Sequence, residues 1–322
     1  MPPNYDELIK KAMEINPRLV IREAAPEDAS SLADLMNRTY ARKRNGDYFI
    51  WQYFSQKQSA KLFIAENDGV PVGIYGLQLR PTTSGLCGNA IDSLVDESFR
   101  GRGIFNILEN NALVYARESG ARFMATLPNR PGMLARSKQS GWNMVAKIDQ
   151  LEAGADSLAA FAEKLREKVG ALPKNDETQT SKKLIYFIKE KNFWSWRFDH
   201  NPIYGYERVA GEKESFAIVK IFTDPITKKV YGDVVDFSCD LSEIKLLLDL
   251  YLRACHQLQA RGVETITTWV LPHLALAKIL IESGFQTVEQ ERYFCVKLLD
   301  SAPPALLDIK NWHLTQGDTE FY

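Results

Sequence analysis

The sequence predicts an α/β protein built as two tandem modules. Three observations carry this. Short β-type runs alternate with amphipathic helical stretches along the whole chain. Its first half holds one Gly-rich turn between a strand and a helix. Four landmarks of that half recur in the same order at offsets of 142–145 residues: Trp51 with Trp196, the stretch around Gly73 with that around Ala217, Gly120 with Gly262, and Gly141-Trp142 with Gly284-Phe285. Any one match is noise; four in register point to internal duplication.

The elements follow in order. A first short helix has Asn4 as its N-cap and Glu7 three residues on. Leu19-Val20-Ile21 reads as a strand. Pro26-Glu27-Asp28 opens a helix with proline and acids in its first turn, and Leu32, Leu35, Met36 and Tyr40 form its apolar face. Strands over 61–66 and 72–79 flank the turn signal Asn67-Asp68-Gly69. A strand over 90–95 runs into Arg100-Gly101-Arg102-Gly103 and a helix over 104–118, which Gly120 ends. A strand over 123–127 and a short helix over 132–140 complete the first module. Leu158, Phe161, Leu165 and Val169 mark another helix, and the polar run over 173–180 has no periodicity and reads as linker. The expected boundaries are therefore 1–150, a helical and polar linker over 151–185, and a second module over 186–322. In the second module a strand over 230–237 leads through Ser238-Cys239-Asp240-Leu241-Ser242-Glu243, without glycine, into a helix over 244–259.

Composition narrows the function. The 322 residues carry 40 Lys+Arg against 41 Asp+Glu, a net charge of −1, which argues against a nucleic-acid partner. No run of about 18 apolar residues occurs and the N-terminus lacks an apolar signal core, so membrane insertion is not expected and a cytoplasmic location is. Four scattered cysteines and four histidines show no metal-ligand spacing; reduced, buried thiols and no metal are expected.

Chemistry is expected at the Gly-rich turn. The first N–H groups of a helix lack internal partners and the helix dipole favours negative charge there, while glycine lets the main chain approach phosphate closely. Arg100 and Arg102 would add charge-assisted contacts.

The order β–α–β–β–β–[Arg-Gly-Arg-Gly]–α–β–α over 18–149 resembles the GNAT superfamily of acyl-CoA-dependent N-acyltransferases. The stretch from Leu94 to Ile104 is similar to its signature L-x-V-x-x-x-x-[RQ]-x-x-G, with Val95, Arg100 and Gly103 in register. The run from Ile21 to Asp28 is similar to its opening, and Leu127-Pro128-Asn129 with Gly141-Trp142 to its last conserved block. The resemblance implies two modules, each a mixed, mostly antiparallel sheet flanked by helices, as in the tandem members found in surface-polysaccharide biosynthesis. It implies an enzyme using acetyl-CoA or another acyl-CoA as co-substrate. The loop Arg100, Gly101, Arg102, Gly103, Ile104 and Phe105 would hold the pyrophosphate, with pantetheine between the strand ending Leu94-Val95 and the strand over 123–127. An N–H of Leu94 or Val95 would polarise the thioester carbonyl, and Asn129 would lie by the pantetheine arm. The acyl group would move by direct attack of a primary amine, such as an amino sugar on a nucleotide or lipid carrier.

Two departures stand out. Phe105 replaces the family's small residue, which suggests a side chain over the loop. Ser137 stands where the general-acid tyrosine is usual, and Leu280 at the matching place of the second copy, so the thiolate's proton would come from elsewhere. Asp92 stands where the family often keeps an acidic base; strand alternation sets Asp92 with Leu94, and Ser93, a lesser helper, with Val95. The C-terminal tail offers Asp318, Glu320 and the Tyr322 carboxylate, by analogy with tandem relatives that bring the terminus into the site. His200 reads as a turn histidine, and the aromatic segments 48–51 and 193–196 as core. The second module, without its loop, would shape the acceptor groove. The rival readings are a non-catalytic acyl-CoA-binding or scaffold protein, which Ser137 favours, and a Fem-type transferase using aminoacyl-tRNA, which the neutral charge opposes.

Overall fold

The structure is a computed structural model, described over residues 5–40, 43–55, 59–137, 141–154, 157, 161, 163–164, 167, 184–299 and 302–319. Asn4, most of the helix expected around Leu158–Val169, the run 173–180, Glu320 and Tyr322 lie outside the described residues. The chain divides into two compact units, Met1–Ala146 with Tyr293–Leu307, and Lys147–Arg292 with Asp308–Tyr322.

In the first unit α1 (Tyr5–Ile15) precedes β1 (Leu19–Glu23), a 3-10 turn Pro26–Asp28 and α2 (Ala29–Thr39). The helix start is pinned by Arg22, whose guanidinium donates to both oxygens of Asp28 at 2.7 and 2.8 Å and to Glu66 of the next strand at 2.6 Å. A one-turn helix α3 (Gly46–Phe49) continues into a π-helical turn over Ile50–Phe54. Strands β2 (Ala60–Asn67), β3 (Val70–Thr82) and β4 (Gly85–Val95) form an antiparallel meander, with Asp68 and Gly69 at positive φ in the tight turn between β2 and β3. Then come α4 (Ile104–Glu118), β5 (Phe123–Thr126), α5 (Arg130–Ser137) and β6 (Asn143–Lys147). Helix α4 buries Ile104, Ile107, Leu108 and Ala112 against the sheet. It lies so close to β3 that a Cβ on Gly73 would come within 3.2 Å of Ile104 and Leu108.

In the second unit β7 (Gln150–Gly154) precedes α6 (Lys191–Trp194), which again runs into a π-helical turn, Ser195–Asp199. Strands β8 (Tyr206–Ala210), β9 (Phe216–Thr223) and β10 (Val230–Ser238) form the meander; α7 (Ile244–Ala260), β11 (Thr265–Thr268), α8 (Ala275–Ser283) and β12 (Gln286–Val288) follow, and the chain then returns to the first unit as β13 (Tyr293–Leu298).

The sheets run β1-β2-β3-β4-β5-β13-β6 and β12-β7-β11-β10-β9-β8. Both are mixed and mostly antiparallel, with β4–β5 and β10–β11 parallel. One arrangement departs from the sequence reading. Strand β13, expected in the second module, pairs with β5 of the first sheet, while β7 holds the corresponding place beside β11. Phe294, Cys295 and Val296 are almost fully buried there. This pairing joins residues some 170 apart, and nothing local in the six residues Tyr293–Leu298 announces its partner.

The parallel pairs align the two units closely. Cys87 faces Phe123 as Tyr231 faces Thr265. Thr126 Oγ1 donates to the Ala90 carbonyl at 2.8 Å, and Thr268 Oγ1 to that of Val234 at 3.0 Å. Two residues beyond each of those carbonyls stands an aspartate, Asp92 and Asp236. Helix-to-π segments correspond as well, so that Arg44, Tyr48, Trp51 and Tyr53 match Lys189, Phe193, Trp196 and Phe198.

Candidate active site

Strand β4 pairs with β3 along its length but with β5 only over Cys87–Asn89. Past Ala90 no strand among the described residues pairs with it on that side, a place where main-chain groups could meet a ligand. At the same place the β3–β4 ladder slips by one residue: Gly76 faces Ile91 and Ile74 faces Leu94, leaving Asp92 and Ser93 opposite Tyr75. This β-bulge overrides the alternation expected for Asp92, Ser93, Leu94 and Val95. Asp92 adopts φ +44, a conformation that aspartate tolerates better than most residues and that clusters at functional sites.

The Asp92 side chain is buried, at 7% exposure. Its Oδ2 accepts from the hydroxyls of Tyr48 at 2.6 Å and Tyr53 at 2.8 Å. The π-helical turn brings both tyrosines to one point, five residues apart. Gly76 makes room for the second: a Cβ there would lie 2.0 Å from the Tyr53 hydroxyl. The guanidinium of Arg44 lies 3.8 Å above the Tyr48 ring. The sequence reading placed Tyr48 in the core, and it is 1% exposed; what that reading missed is the hydroxyl. A tyrosine in place of phenylalanine in an aromatic core is the signal that would have found it.

The glycine loop takes the expected form. Gly101 and Gly103 have φ of +77 and +81, and Gly103 is the left-handed N-cap of α4. No atom lies within 4 Å of where a Gly101 Cβ would stand. The loop's arginines are partly spent on the protein: Arg100 Nε donates to the Val95 carbonyl at 3.1 Å, and Arg102 to that of Ser98 at 2.9 Å. They brace the loop, and the first amides of α4, which lack partners within the helix, are the donors it could offer an anion. Ile104 is core, and Phe105 meets the Tyr75 ring edge-on at 5.6 Å, against the sheet and not over the loop. Leu94 and Val95 are buried at the end of β4. Asn129 caps α5, accepting the Gly132 N–H at 3.1 Å.

The other candidates fall elsewhere. Asp318 is in the second unit, 3% exposed and salt-bridged to Lys189 at 2.9 Å, so a free tail carboxylate is not what it provides. His200 is an exposed turn histidine beside Ser195. Burial raises the thiols of Cys87, Cys255 and Cys239, the last to about 12, so none is poised as a thiolate nucleophile.

Residues 29–135 match the acetyltransferase (GNAT) family, and that span contains the bulged strand, the glycine loop and α4. This segment is a GNAT acetyltransferase domain. Acetyl-CoA is the co-substrate of that family, and the open loop and splayed strand fit it. Among solved structures, a GNAT protein from Kribbella flavida is similar over 88% of this chain and 71% of its own, with TM-score 0.57 and 12% identity. A glucosamine N-acetyltransferase region in a fungal multi-domain β-N-acetylglucosaminidase is similar over 86% of this chain at TM-score 0.53 and 14% identity. The chain spans 38% of that protein's length. No curated protein matches the sequence. Among the described residues, no helix is long and apolar enough to cross a membrane.

Proposed function

We propose that the acetyltransferase domain moves an acetyl group from acetyl-CoA to the primary amine of a small molecule, with an amino sugar as the acceptor class. The observation that carries this is the coincidence, at one strand end, of an open glycine loop on a helix N-terminus, an unpaired stretch of β4 and a buried carboxylate at its bulge. Acetyl-CoA supplies the activated carbonyl. The amides at the start of α4, over Gly101–Phe105, hold its pyrophosphate, and an N–H of Leu94 or Val95 polarises the carbonyl oxygen. Asp92 accepts the proton that the acceptor's ammonium must lose before its nitrogen forms the new C–N bond and the C–S bond breaks. The amino-sugar class is supported by the fungal structural neighbour, whose own acceptor is glucosamine. The second unit, without a glycine loop, does no chemistry in this reading.

The test is release of free CoA from acetyl-CoA in the presence of a panel of amino sugars, for the unmutated chain and for Asp92→Ala. Turnover that needs an amine and falls at least 100-fold in the variant is expected. Turnover indifferent to the variant would remove Asp92 from the chemistry, and none with any amine would leave a binding protein.

A further inference from the structure

The duplicated fold contains its own control for Asp92. In the second unit the corresponding carboxylate, Asp236, is saturated. Its Oδ2 accepts from the Lys189 ammonium at 2.7 Å, and its Oδ1 accepts from the Thr315 hydroxyl at 3.0 Å and the Phe237 N–H at 2.9 Å. Thr315, Gly317 and Asp318 close over it, so tightly that a Cβ on Gly317 would meet Asp236 Oδ2 at 2.1 Å. In the first unit two changes occur together. The cation's position is taken by Arg44, which lies on the Tyr48 ring. Phe193 and Phe198 become Tyr48 and Tyr53, whose hydroxyls both go to one oxygen of the carboxylate. The other oxygen, Asp92 Oδ1, accepts no hydrogen bond among the described residues. A carboxylate buried to this degree with two neutral donors on one oxygen and nothing on the other lacks the cationic partner that its twin possesses.

Building on the acetyl-transfer reading, we infer that Tyr48 and Tyr53 are positioning residues that hold the Asp92 carboxylate through Oδ2 and leave Oδ1 as the seat for the acceptor's ammonium group, the cation that Lys189 supplies to the corresponding carboxylate of the second unit. The hydroxyls fix the carboxylate through Oδ2 without consuming the oxygen that a ligand needs. An alcohol in place of the amine would bring no charge to the seat, so acceptors are cationic primary amines and not their hydroxyl isosteres. The chain keeps hydroxyls at these two positions only in the unit that keeps its glycine loop.

Two measurements test this, and the first needs no acceptor. Asp92→Asn and Asp236→Asn are compared by thermal unfolding. Asparagine keeps an oxygen for both tyrosine hydroxyls and tolerates the left-handed backbone, so Asp92→Asn is expected to unfold within about 2 °C of the unmutated chain, or above it. Asp236→Asn takes from Lys189 one of its two buried carboxylates, leaving Asp318 at 2.9 Å, and is expected to lose a few degrees, more than Asp92→Asn. If Asp92→Asn loses as much as Asp236→Asn, Asp92 is a structural carboxylate and the seat is refuted. In the second measurement Tyr48→Phe, Tyr53→Phe and the double variant are assayed with acetyl-CoA and glucosamine, with glucose as the amine-free control. The acceptor KM is expected to rise about tenfold or more in the double variant, with kcat changed less and the acetyl-CoA-induced melting shift unaltered. A glucosamine KM within twofold of the unmutated value would overturn the positioning role. Loss of the acetyl-CoA shift in the unmutated chain would instead count against the transferase reading, while the two asparagine variants would still decide whether Asp92 is an open seat.

Discussion

Replacing Lys189 by methionine removes one cation from between two buried carboxylates. The ammonium lies 2.7 Å from Asp236 Oδ2, 2.9 Å from Asp318 Oδ1 and 3.1 Å from Thr315 Oγ1. The side chains of Asp236 and Asp318 are 1% and 2% exposed and that of Lys189 is 9% exposed, so solvent screens little of the loss. Breaking such a pair by removing one partner costs about 3–5 kcal/mol, because the remaining charges stay out of water. For a unit of this size that corresponds to a fall in Tm of roughly 6–20 °C. The sign of its pH dependence follows from Asp236. Burial already holds its carboxyl above the usual range, with the Asp318 charge adding to this and Lys189 opposing it. Without Lys189 the charge that opposes this is gone and Asp236 favours protonation further, so the deficit is largest at neutral pH and narrows as pH falls towards 4. The assay is thermal unfolding by tryptophan fluorescence and circular dichroism at pH 7 and pH 4.5. Adding Asp236→Asn to the methionine variant should restore part of the loss, since only one carboxylate then lacks its partner. A methionine variant melting within 2 °C of the unmutated chain at pH 7 would refute the claim that this ion pair fixes the tail.

Two further outcomes follow from the same geometry. His313 is half-buried, and desolvation, aided by Lys189, holds its imidazole down at about 4. The neutral ring therefore contributes stability that is fully present above pH 6.5 and is lost as pH falls towards 4, up to about 3 kcal/mol; a His313→Gln variant should show a flatter Tm against pH over that window. Gly76→Ala should displace the Tyr53 hydroxyl from Asp92 and slow amine-dependent CoA release, and an unchanged rate would contradict the role given to that contact.

The first unit was legible because its signals are local. Asn67-Asp68-Gly69 marked the turn, Pro26-Glu27-Asp28 the helix start, and Gly101 and Gly103 the left-handed entry to α4. The landmarks spaced 142–145 residues apart fall at matching places in the two units, as do Asp92 and Asp236. What escaped is what tertiary contact decides. The bulge at Asp92 changes the faces of β4 without any glycine or proline to announce it. The π-helical turns that gather Tyr48 and Tyr53 on one oxygen look like ordinary aromatic segments. The exchange of β7 and β13 between sheets depends on partners far away in sequence. Asp318 could be placed in the tail by reading, but its burial against Lys189 could not.

The central claim is that the loop entering α4, with the splayed end of β4, binds acetyl-CoA. Thermal melting against a panel of acyl-CoAs, with free CoA and ATP as controls, tests it most directly. A ligand at about 100 times its Kd adds about 2.7 kcal/mol, a shift of several degrees. The structure predicts such a rise with acetyl-CoA and its loss in Gly103→Glu, where a side chain at φ +81 and a negative charge both oppose phosphate binding. A Tm that no acyl-CoA moves, or one that moves equally in Gly103→Glu, would contradict it.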